Sequence, residues 1–317
     1  MELFINTPSE KTCKLCSSDL IIPSVFIDSF IQEIPLGLDR DNHERVFLHY
    51  CESCDTVNIE NDLRRDSTRI LYEENSTCFS SSKNTFKFSE KYEPYSTCIL
   101  NTKYKKYWKN LKGLDFGCGG GYFTRKLKDY LLEVQGADLD KKSIGFVSKK
   151  LKIKTFLWDI NDIPDKKYDL ISLIGVFEHL NDPTISMSTL VKKLNNRGYL
   201  IIAFPNLNSL SRIISEMSKH KWDMFLEPGH LFIPSKKGFV NLCHVNNLNV
   251  IDYYTSSHII RGKIISPSRY ASLEKSVLNL FLSSTIFRQI YTSIFKLLDF
   301  LKLGDISIYV LKKNEIF

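Results

Sequence analysis

Hydrophobic and polar positions change their pattern near residue 111 of the chain. From there on, short apolar runs that are typical of buried strands alternate with amphipathic segments. The predicted strands are GLDF, VQGADLD, KTFLWD, YDLISLIG and GYLIIAFPN, and the predicted helices are YFTRKLKDYLLE, KKSIGFVSKKL and PTISMSTLVKKL. Strands that alternate with helices predict an α/β fold with a parallel sheet covered on both faces.

The C-terminal part adds two predicted strands, NVIDYYTS and DISIYVLKK, with a helical insert between them at about residues 268–303. The insert has a wide apolar stripe, formed by Val277, Phe281, Phe287, Ile290, Ile294, Leu298 and Leu301. Such a stripe is typical of a helix pair that covers the sheet or forms a homodimer, and the alternative is peripheral contact with a membrane surface. No window reaches eighteen uninterrupted apolar residues, so no transmembrane helix is expected.

The N-terminal part, residues 1–62, is predicted to be a small zinc-ribbon-like module. It contains two C-x-x-C pairs, Cys13 with Cys16 and Cys51 with Cys54. Four thiolates in two such pairs suit a closed tetrahedral site for structural Zn²⁺, and iron would use the same ligands. Four unrelated buried cysteines are the alternative. Residues 63–110 lack clear periodicity and are predicted to be a connector with some helix.

Composition and charge narrow the class of protein. The 317 residues include 43 Lys and Arg against 36 Asp and Glu, a net charge of +7. This mild basicity favours an anionic partner but is too low for a dedicated nucleic-acid binder, so nucleic acid is not expected. No signal peptide is recognised at the N-terminus. We therefore expect a cytoplasmic protein whose eight cysteines are reduced.

Acidic residues follow three successive predicted strands, beside a glycine-rich segment. The segment LDFGCGGGYF contains four glycines and Asp115, and Asp138 and Asp159 end the next two strands. A glycine loop between a strand and a helix can present amide groups to a ligand. The pattern misses the NAD fingerprint because Tyr122 stands at its sixth position. A glycine-rich turn without a ligand is the alternative.

Five segments in this order resemble the class I S-adenosylmethionine-dependent methyltransferases: LDFGCGGGYF, QGADLD, FLWDINDIP, YDLISLIGVFEHLNDP and GYLIIAFPN. The resemblance implies a Rossmann-like seven-stranded sheet in a domain of residues 111–317. The segments VFEHLNDP, FPN and GHLFIPS are similar to ubiquinone-biosynthesis O-methyltransferases. The cysteine module in front resembles bacterial methyltransferases of sugar and cell-surface polysaccharide pathways.

The resemblance also implies a cofactor site for S-adenosylmethionine. Asp115 would hold the amino group of the cofactor, Asp138 would accept from the ribose hydroxyls, and Asp159 would meet the adenine amino group. Ile160 would lie against the adenine ring. The remaining residues assigned to this site are those of the loop, which would pass under the methionine part, and one neighbour of Asp138: Gly117, Cys118, Gly119, Gly120, Gly121 and Leu139. The small Cys118 side chain is expected to pack.

Two segments that contain histidine supply the candidate catalytic residues. His179, next to Glu178 after the fourth strand, is the first candidate for a general base, and His230 is the second. Alternatively, Glu178 and His179 cap a helix or brace a loop, and His230 is an ordinary loop residue. Related methyltransferases that bind a metal at a Glu-His pair use further histidines downstream. That pattern is not recognised here, so no catalytic metal is expected.

The predicted function is O-methylation of a small hydroxylated acceptor, such as a sugar in surface-polysaccharide biosynthesis. A sugar nucleotide or a lipid-linked saccharide would fit the lysine clusters, although these clusters are more typical of a solvated helix face. The alternatives are a methyltransferase that acts on RNA, a quinone or a protein, and a non-catalytic module that binds S-adenosylmethionine.

Overall fold

The structure is a computed structural model. It describes residues 12–19, 25–29, 44–61, 99–100, 102–157, 163, 165, 167–217, 222–226, 229–257 and 285–315. Several sequence predictions fall outside these residues. They concern Asp159, Ile160, most of the connector and the first half of the insert.

The described residues form eleven strands and seven α-helices. The strands are β1 (Val25–Ser29), β2 (Glu44–Tyr50), β3 (Val57–Asn61), β4 (Lys112–Phe116), β5 (Glu133–Asp138), β6 (Thr155–Leu157), β7 (Tyr168–Ile174), β8 (Leu194–Pro205), β9 (Phe232–Ile233), β10 (Leu248–Ser256) and β11 (Ile306–Lys313). The helices are α1 (Tyr122–Lys128), α2 (Lys141–Leu151), α3 (Pro183–Lys193), α4 (Leu210–Met217), α5 (Asp223–Leu226), α6 (Lys236–Val245) and α7 (Thr285–Phe300). Two short 3₁₀ turns cover Lys103–Tyr107 and Phe177–His179.

Seven of the strands form one sheet in the order β10-β11-β8-β7-β4-β5-β6. Neighbouring strands from β8 to β6 are parallel, whereas β11 is antiparallel to both β8 and β10. This sheet confirms the predicted α/β, Rossmann-like architecture with its terminal strand pair. Its strand order reverses between β4 and β7, and ligands of open α/β sheets bind at the carboxyl ends of strands at such a point.

The helix after β4 is shorter than its apolar spacing predicts. The sequence pattern continues to Glu133, but α1 ends at Lys128. The amide of Leu132 instead donates to the carbonyl of Leu111 at 2.9 Å, which aligns the start of β5 with β4. Sheet pairing therefore replaces the last helical turn.

A second sheet joins the N-terminal cysteine module to the rest of the chain. Its order is β1-β2-β3-β9, and all its pairs are antiparallel. Strand β9 lies far along the chain, between β8 and α6. The module therefore takes its fourth strand from the domain that carries the seven-stranded sheet.

Helix α6, which the sequence analysis did not identify, packs directly on the cysteine module. Ser235 caps its N-terminus by accepting from the amide of Gly238 at 2.8 Å. A Cβ on Gly238 would lie 2.8 Å from both Leu15 and Thr56 of the module. The close approach of the two elements requires a glycine here.

Helix α7 lies in the predicted insert and differs from the prediction in which face it buries. Phe295, which is outside the predicted stripe, is buried, whereas Ile290 and Ile294 are about half exposed. The stripe therefore does not cover the sheet in the described part of the insert. Contact of this face with a partner copy or a membrane stays a prediction. Within the described ranges, no helix combines the length and apolar character needed to span a bilayer.

Candidate functional site

Asp115 lies at the end of β4, in the centre of the seven-stranded sheet. Its carboxylate accepts from the hydroxyl of Thr124 at 2.6 Å and from that of Ser172 at 2.7 Å. Burial raises the pKa of Asp115 to about 6, although both hydrogen bonds act in the opposite direction. Because the side chain is only 2% exposed, the structure places it behind the glycine loop, where it joins β4 to α1 and β7.

The glycine loop uses most of its amides within the protein. The amides of Gly117 and Cys118 both donate to the carbonyl of Ala137, and that of Gly121 donates to Cys118. Within the described residues, the amide of Gly120 makes no such bond. The loop therefore offers fewer amides to a ligand than its glycine content indicates.

Two of the loop glycines are required by the fold itself. Gly117 and Gly121 have φ angles of 78° and 77°, which favour glycine. A Cβ at Gly117 would also collide with Val176, and one at Gly121 would lie 2.7 Å from Val147. At Gly120, in contrast, a Cβ would meet no described atom within 4 Å. Of these three loop glycines, Gly120 is the one that faces open space.

The other acid beside the loop, Asp138, ends β5 and contacts the loop backbone. It accepts from the amide of Gly119 at 2.7 Å and from that of Asp140 at 3.0 Å. Its burial raises the pKa of the carboxyl above the ordinary value. Leu139 follows, half-buried, and Asp140 then caps α2 through the amides of Lys142 and Ser143.

The side chain of Cys118 points away from the ligand space. A Cβ on Gly136 of β5 would lie 3.0 Å from its sulfur, and Cys118 belongs to a small apolar cluster with Val147 and Leu151. This placement agrees with the expectation that Cys118 packs. Its assignment to the cofactor site can concern only the backbone.

The segment after β7 links the glycine loop to the candidate catalytic residues. Val176 packs under Gly117, and its carbonyl accepts from the amide of His179 at 3.0 Å. One 3₁₀ turn therefore separates the loop from His179. This arrangement brings the candidate cofactor and catalytic residues to the same edge of the sheet.

Glu178, His179 and His230 come together in space, although His230 lies 51 positions after His179. We call these three residues the histidine cluster. The ring centres of the two histidines are 4.8 Å apart, and His230 Nε2 lies 3.8 Å from Glu178 Oε1. Glu178 and His230 are almost completely buried, and His179 is half-buried. The 3₁₀ turn that carries Glu178 and His179 also fits their alternative role in bracing a loop.

Each imidazole of the histidine cluster is held by a backbone carbonyl. His179 Nδ1 bonds to the carbonyl of Gly229 at 2.6 Å, and His230 Nδ1 bonds to that of Met224 at 2.7 Å. A carbonyl can only accept, so Nδ1 carries the proton in both rings. In a neutral imidazole the lone pair then lies on Nε2.

The cysteine module reaches the histidine cluster through backbone hydrogen bonds. The amide of Ile59 in β3 donates to the carbonyl of Leu231, and the amide of Leu231 donates to the carbonyl of Glu178, both at 2.9 Å. Lys14 Nζ also donates to the carbonyl of Asn181 at 3.1 Å. The position of the cysteine module therefore influences the position of Glu178.

The two cysteine pairs fold into matching turns. The amide of Cys13 donates to the carbonyl of Ser18, and the amide of Cys51 donates to that of Thr56, five residues further on in each case. The residue after the second cysteine has a φ of 59° in both turns, and these residues are Ser17 and Asp55. Two identical turns are typical of metal-binding knuckles rather than of unrelated cysteines.

The four sulfur atoms meet between the turns. Cys13 and Cys54 are 3.7 Å apart, Cys16 and Cys51 are 3.5 Å apart, and all four sulfurs lie within 4.8 Å of one another. Four thiolates at a Zn–S distance of about 2.3 Å in a tetrahedron would be about 3.8 Å apart. The hydrogen bond between Cys13 and Cys54 lowers the pKa of the Cys13 thiol and raises the pKa of the Cys54 thiol, so a bound cation would have to displace the proton that the two sulfurs share. The donor set therefore fits a zinc ion.

Some residues that build the site were not predicted. Thr124 and Ser172 hold Asp115, and Val176 supports the loop. The sequence carries no local signal for these contacts because each depends on how distant strands pair. Asp140 could have been identified, since an acid directly before a helical pattern is a typical N-cap. Asp159 and Ile160 lie outside the described residues.

The strand order, the loop after β4 and the acid after β5 define a class I S-adenosylmethionine-dependent methyltransferase. A protein-family model described as "Methyltransferase domain" matches residues 89–253, which is more than half of the chain. The chain therefore belongs to this methyltransferase family.

Similar curated proteins are named ubiquinone biosynthesis O-methyltransferases. One from Pelagibacter ubique is 29% identical over 163 residues, covering 45% of this chain and 68% of its own length. One from Rickettsia akari is 26% identical over 150 residues, covering 42% and 60%. A third, from Rhizobium etli, is 28% identical over 105 residues and is covered over only 42% of its length.

Similar solved structures include methyltransferases with lower identity. Magnesium protoporphyrin IX methyltransferase from Synechocystis, solved with bound SAH, is 13% identical with a TM-score of 0.49, covering 79% of this chain and all of that one. An S-adenosylmethionine-dependent methyltransferase from Archaeoglobus fulgidus is 21% identical with a TM-score of 0.48, covering 71% and 98%. Because these TM-scores are low, the fold assignment rests on the strand order of the sheet and not on the superposition of these structures.

Proposed function

We propose that this protein transfers the methyl group of S-adenosylmethionine to a hydroxyl oxygen of a small acceptor. The observation that carries the proposal is the position of the histidine cluster, one 3₁₀ turn away from the glycine loop. The names of the similar curated proteins, which are O-methyltransferases, support the choice of oxygen.

The cofactor side of the proposal rests on Gly120 and Asp138. A Cβ on Gly120 would point into open space, so the backbone can be approached closely there. The Asp138 carboxylate has two oxygens with about four acceptor positions, of which its two amide partners use two. The remaining positions suit the ribose hydroxyls. When bound, the cofactor supplies an electrophilic methyl group, and the protein positions and orients the reactants.

The acceptor side rests on the histidine cluster. The backbone carbonyl of Gly229 fixes His179 in the tautomer whose Nε2 can take a proton. A hydroxyl oxygen becomes a better nucleophile as its proton leaves. We propose that the cluster removes this proton while the acceptor lies between it and the glycine loop.

The acceptor itself is proposed to be a hydroxylated sugar of surface-polysaccharide biosynthesis, in line with the resemblance of the cysteine module. A second candidate is a hydroxylated quinone precursor, which the names of the curated relatives favour. Neither assignment changes the role proposed for the histidine cluster.

The cysteine module is proposed to hold one structural zinc ion. Four protein ligands would close its coordination shell, so the ion would have no open position for a substrate. Its contribution would be to keep β3 and the two knuckles in place against β9 and α6.

A direct assay can test the proposed function. Purified protein is incubated with S-adenosylmethionine and a panel of hydroxylated sugar nucleotides and quinone-type phenols, and release of S-adenosylhomocysteine is measured. Acceptor-dependent release that disappears when the acceptor hydroxyl is blocked supports O-methylation. Methylation of an amine-bearing acceptor only would contradict it.

A further inference from the structure

Helix α7 carries an exposed apolar face on the side away from the one that packs on the protein. Phe295 is 3% exposed, whereas four apolar side chains on the other side are 51–56% exposed: Ile290, Ile294, Leu297 and Leu301. We call these four residues the α7 seam. Leu301 directly follows the helix and keeps its geometry, since its amide donates to the carbonyl of Leu297 at 2.8 Å. A contiguous exposed row of this kind is typical of an interaction surface.

Helix α7 is held in place at its C-terminal end, so the seam is presented in a defined direction. The carbonyl of Asp299 accepts from the hydroxyl of Thr255 at 3.1 Å, and its carboxylate accepts from Ser257 at 2.6 Å. Just beyond the helix, the carbonyl of Leu303 accepts from the amide of Leu210 at 2.9 Å. These bonds join the helix to the end of β10 and to the start of α4.

The spacing of the α7 seam is that of a coiled-coil contact. Its successive members are four, three and four residues apart, which is the a/d pattern with a mean period of about 3.5 residues. Exposed Ser293 and Lys296 interrupt the apolar surface between the members of the seam. A row this narrow suits a second helix, whereas a helix that lies on a membrane uses a broader apolar face.

A groove in this face has the shape that receives a side chain from a facing helix. Its volume is about 380 Å³, and its lining residues are Gln289, Ile290, Ser293, Ile294 and Leu297. Four of them stand at positions i, i+3, i+4 and i+7, beginning at Ile290. These are the four positions that form a hole in knobs-into-holes packing. The small side chain of Ser293 leaves the hole open on one side.

We propose that the α7 seam binds a second copy of this chain, with the two helices antiparallel about a two-fold axis. Leu297 of one copy would enter the groove of the other, next to Ile294, and Ile290 would face Leu301. Two-fold symmetry makes the contact reciprocal, so each copy supplies both a knob and a hole. Every member of the seam then pairs with a member of the partner's seam.

The exposed area agrees with what a specific dimer needs. The α7 seam and Phe300, which is 78% exposed, offer roughly 500–600 Å² of apolar surface at about 200 Å² per fully exposed side chain. Exposed Gln289 and Ser293 flank this surface and bring it close to the ~800 Å² per partner that a specific dimer buries.

The charges described on α7 do not oppose the pairing. Lys296 is exposed at a position that points away from the seam, and the carboxylate of Asp299 is bonded to Ser257. Neither charge faces its own copy across the proposed two-fold axis, so no like charges meet in the contact.

Sedimentation velocity tests the proposal without cofactor or acceptor, so its outcome does not depend on methyl transfer. The mass should rise from 36.8 kDa toward twice this value as the protein concentration increases from about 1 μM to about 100 μM. A dimer at every concentration would also support the proposal.

Matched variants locate the contact on α7. Ile294→Gln and Leu297→Gln should each weaken the dimer by at least about 30-fold, the effect of losing one interface hot spot. Both positions are about half exposed in the single chain, so the variants should fold as the wild type does by circular dichroism. Lys296→Gln introduces the same side chain outside the seam and should dimerise as the wild type does. Equal dimerisation of all three variants would contradict the assignment to the seam.

Engineered cysteines test the antiparallel arrangement. Disulfides form between Cα atoms about 4.4–6.8 Å apart, so Ile294→Cys chains should link to Leu297→Cys chains when the two are mixed and mildly oxidised. Ile294→Cys chains alone should link no more than the wild type, which measures the contribution of the native cysteines. Equal linking of Ile294→Cys chains to each other would contradict the antiparallel register.

Two further results would overturn the proposal. A wild type that stays monomeric at about 100 μM excludes a second copy as the occupant of the seam. Flotation of such a monomer with phosphatidylglycerol vesicles would assign the face to a membrane surface instead. Seam variants that lower the unfolding temperature equally at every protein concentration would show that the face is covered within the chain.

Discussion

The carboxylate of Asp138 accepts a hydrogen bond from the backbone amide of Gly119 at 2.7 Å. The end of β5 thereby holds the glycine loop that follows β4, and the same carboxylate faces the space where the ribose of the cofactor is proposed to lie. Loop conformation and cofactor recognition therefore depend on one side chain.

Gly120→Val is predicted to block the cofactor without disturbing the fold. No described atom lies within 4 Å of its Cβ position, so a branched side chain would fill ligand space instead of protein core. We expect S-adenosylmethionine to bind about 5- to 150-fold more weakly by isothermal titration calorimetry, which corresponds to about 1–3 kcal/mol of overpacking.

The matched control for this prediction is Gly145→Val. Gly145 also has no neighbour within 4 Å of its Cβ position, but it lies exposed on α2. This variant should bind the cofactor as the wild type does. Equal affinity of both variants and the wild type would remove Gly120 from the cofactor site.

Asp115→Asn is predicted to change how stability depends on pH. The pKa of Asp115 is raised to about 6, so the folded state binds this proton more tightly than the unfolded state. The stabilisation by the protonated Asp115 carboxyl is complete below pH ~4 and is lost as the pH rises through about 6. Asparagine has no titratable carboxyl group. The free energy of unfolding of the variant should therefore rise relative to that of the wild type between pH 4 and pH 7, by on the order of 2–3 kcal/mol.

Urea unfolding of both proteins at pH 4, 5, 6 and 7 measures this difference. The expected result is a gap in unfolding free energy that moves in favour of Asp115→Asn as the pH rises. Parallel curves over this range would show that Asp115 does not titrate there.

The cysteine site is predicted to hold one zinc ion per chain. Replacing Cys13 and Cys16 together with serine removes two of four thiolates, so zinc should be absent by elemental analysis and the module should lose stability. Cys243→Ala is the control because this buried cysteine lies outside the cluster. Full zinc content in the double variant would exclude these two cysteines as ligands.

His179→Ala is predicted to lower turnover by roughly 10²–10⁴-fold, because the acceptor proton would no longer be removed. Affinity for S-adenosylmethionine should hardly change, since the histidine is proposed to lie on the acceptor side. His179→Gln keeps a polar side chain of similar reach but does not act as a base at neutral pH. Near-normal turnover of the Gln variant would mean that His179 only positions the acceptor.

The sequence predicted the parts of the fold that depend on neighbouring residues. Helix α2 begins and ends where the pattern KKSIGFVSKKL does, because apolar spacing and the Asp140 cap act within one segment. The strands of the large sheet were also predicted, since most of them contain a short apolar run.

Contacts between distant segments could not be predicted in the same way. Strand β9 has two residues and exists only because it pairs with β3. Gly117 and Gly121 were explained by a ligand, whereas their neighbours Val176 and Val147 already require them. The approach of His230 to Glu178 depends on a fold-back of the chain that no local pattern indicates.

The pairing of β3 with β9 has a consequence for how the chain folds during synthesis. The knuckle residue Cys54 is bonded through its carbonyl to Ser235, 181 positions later. The cysteine turns can therefore form early on the ribosome, but Leu15 stays uncovered until Gly238 has emerged. Contacts between residues this distant in sequence form slowly. Until they form, the exposed apolar surface can bind chaperones or take part in misassembly. The cysteine module is made before the domain that carries the seven-stranded sheet, yet it is among the last parts to be completed.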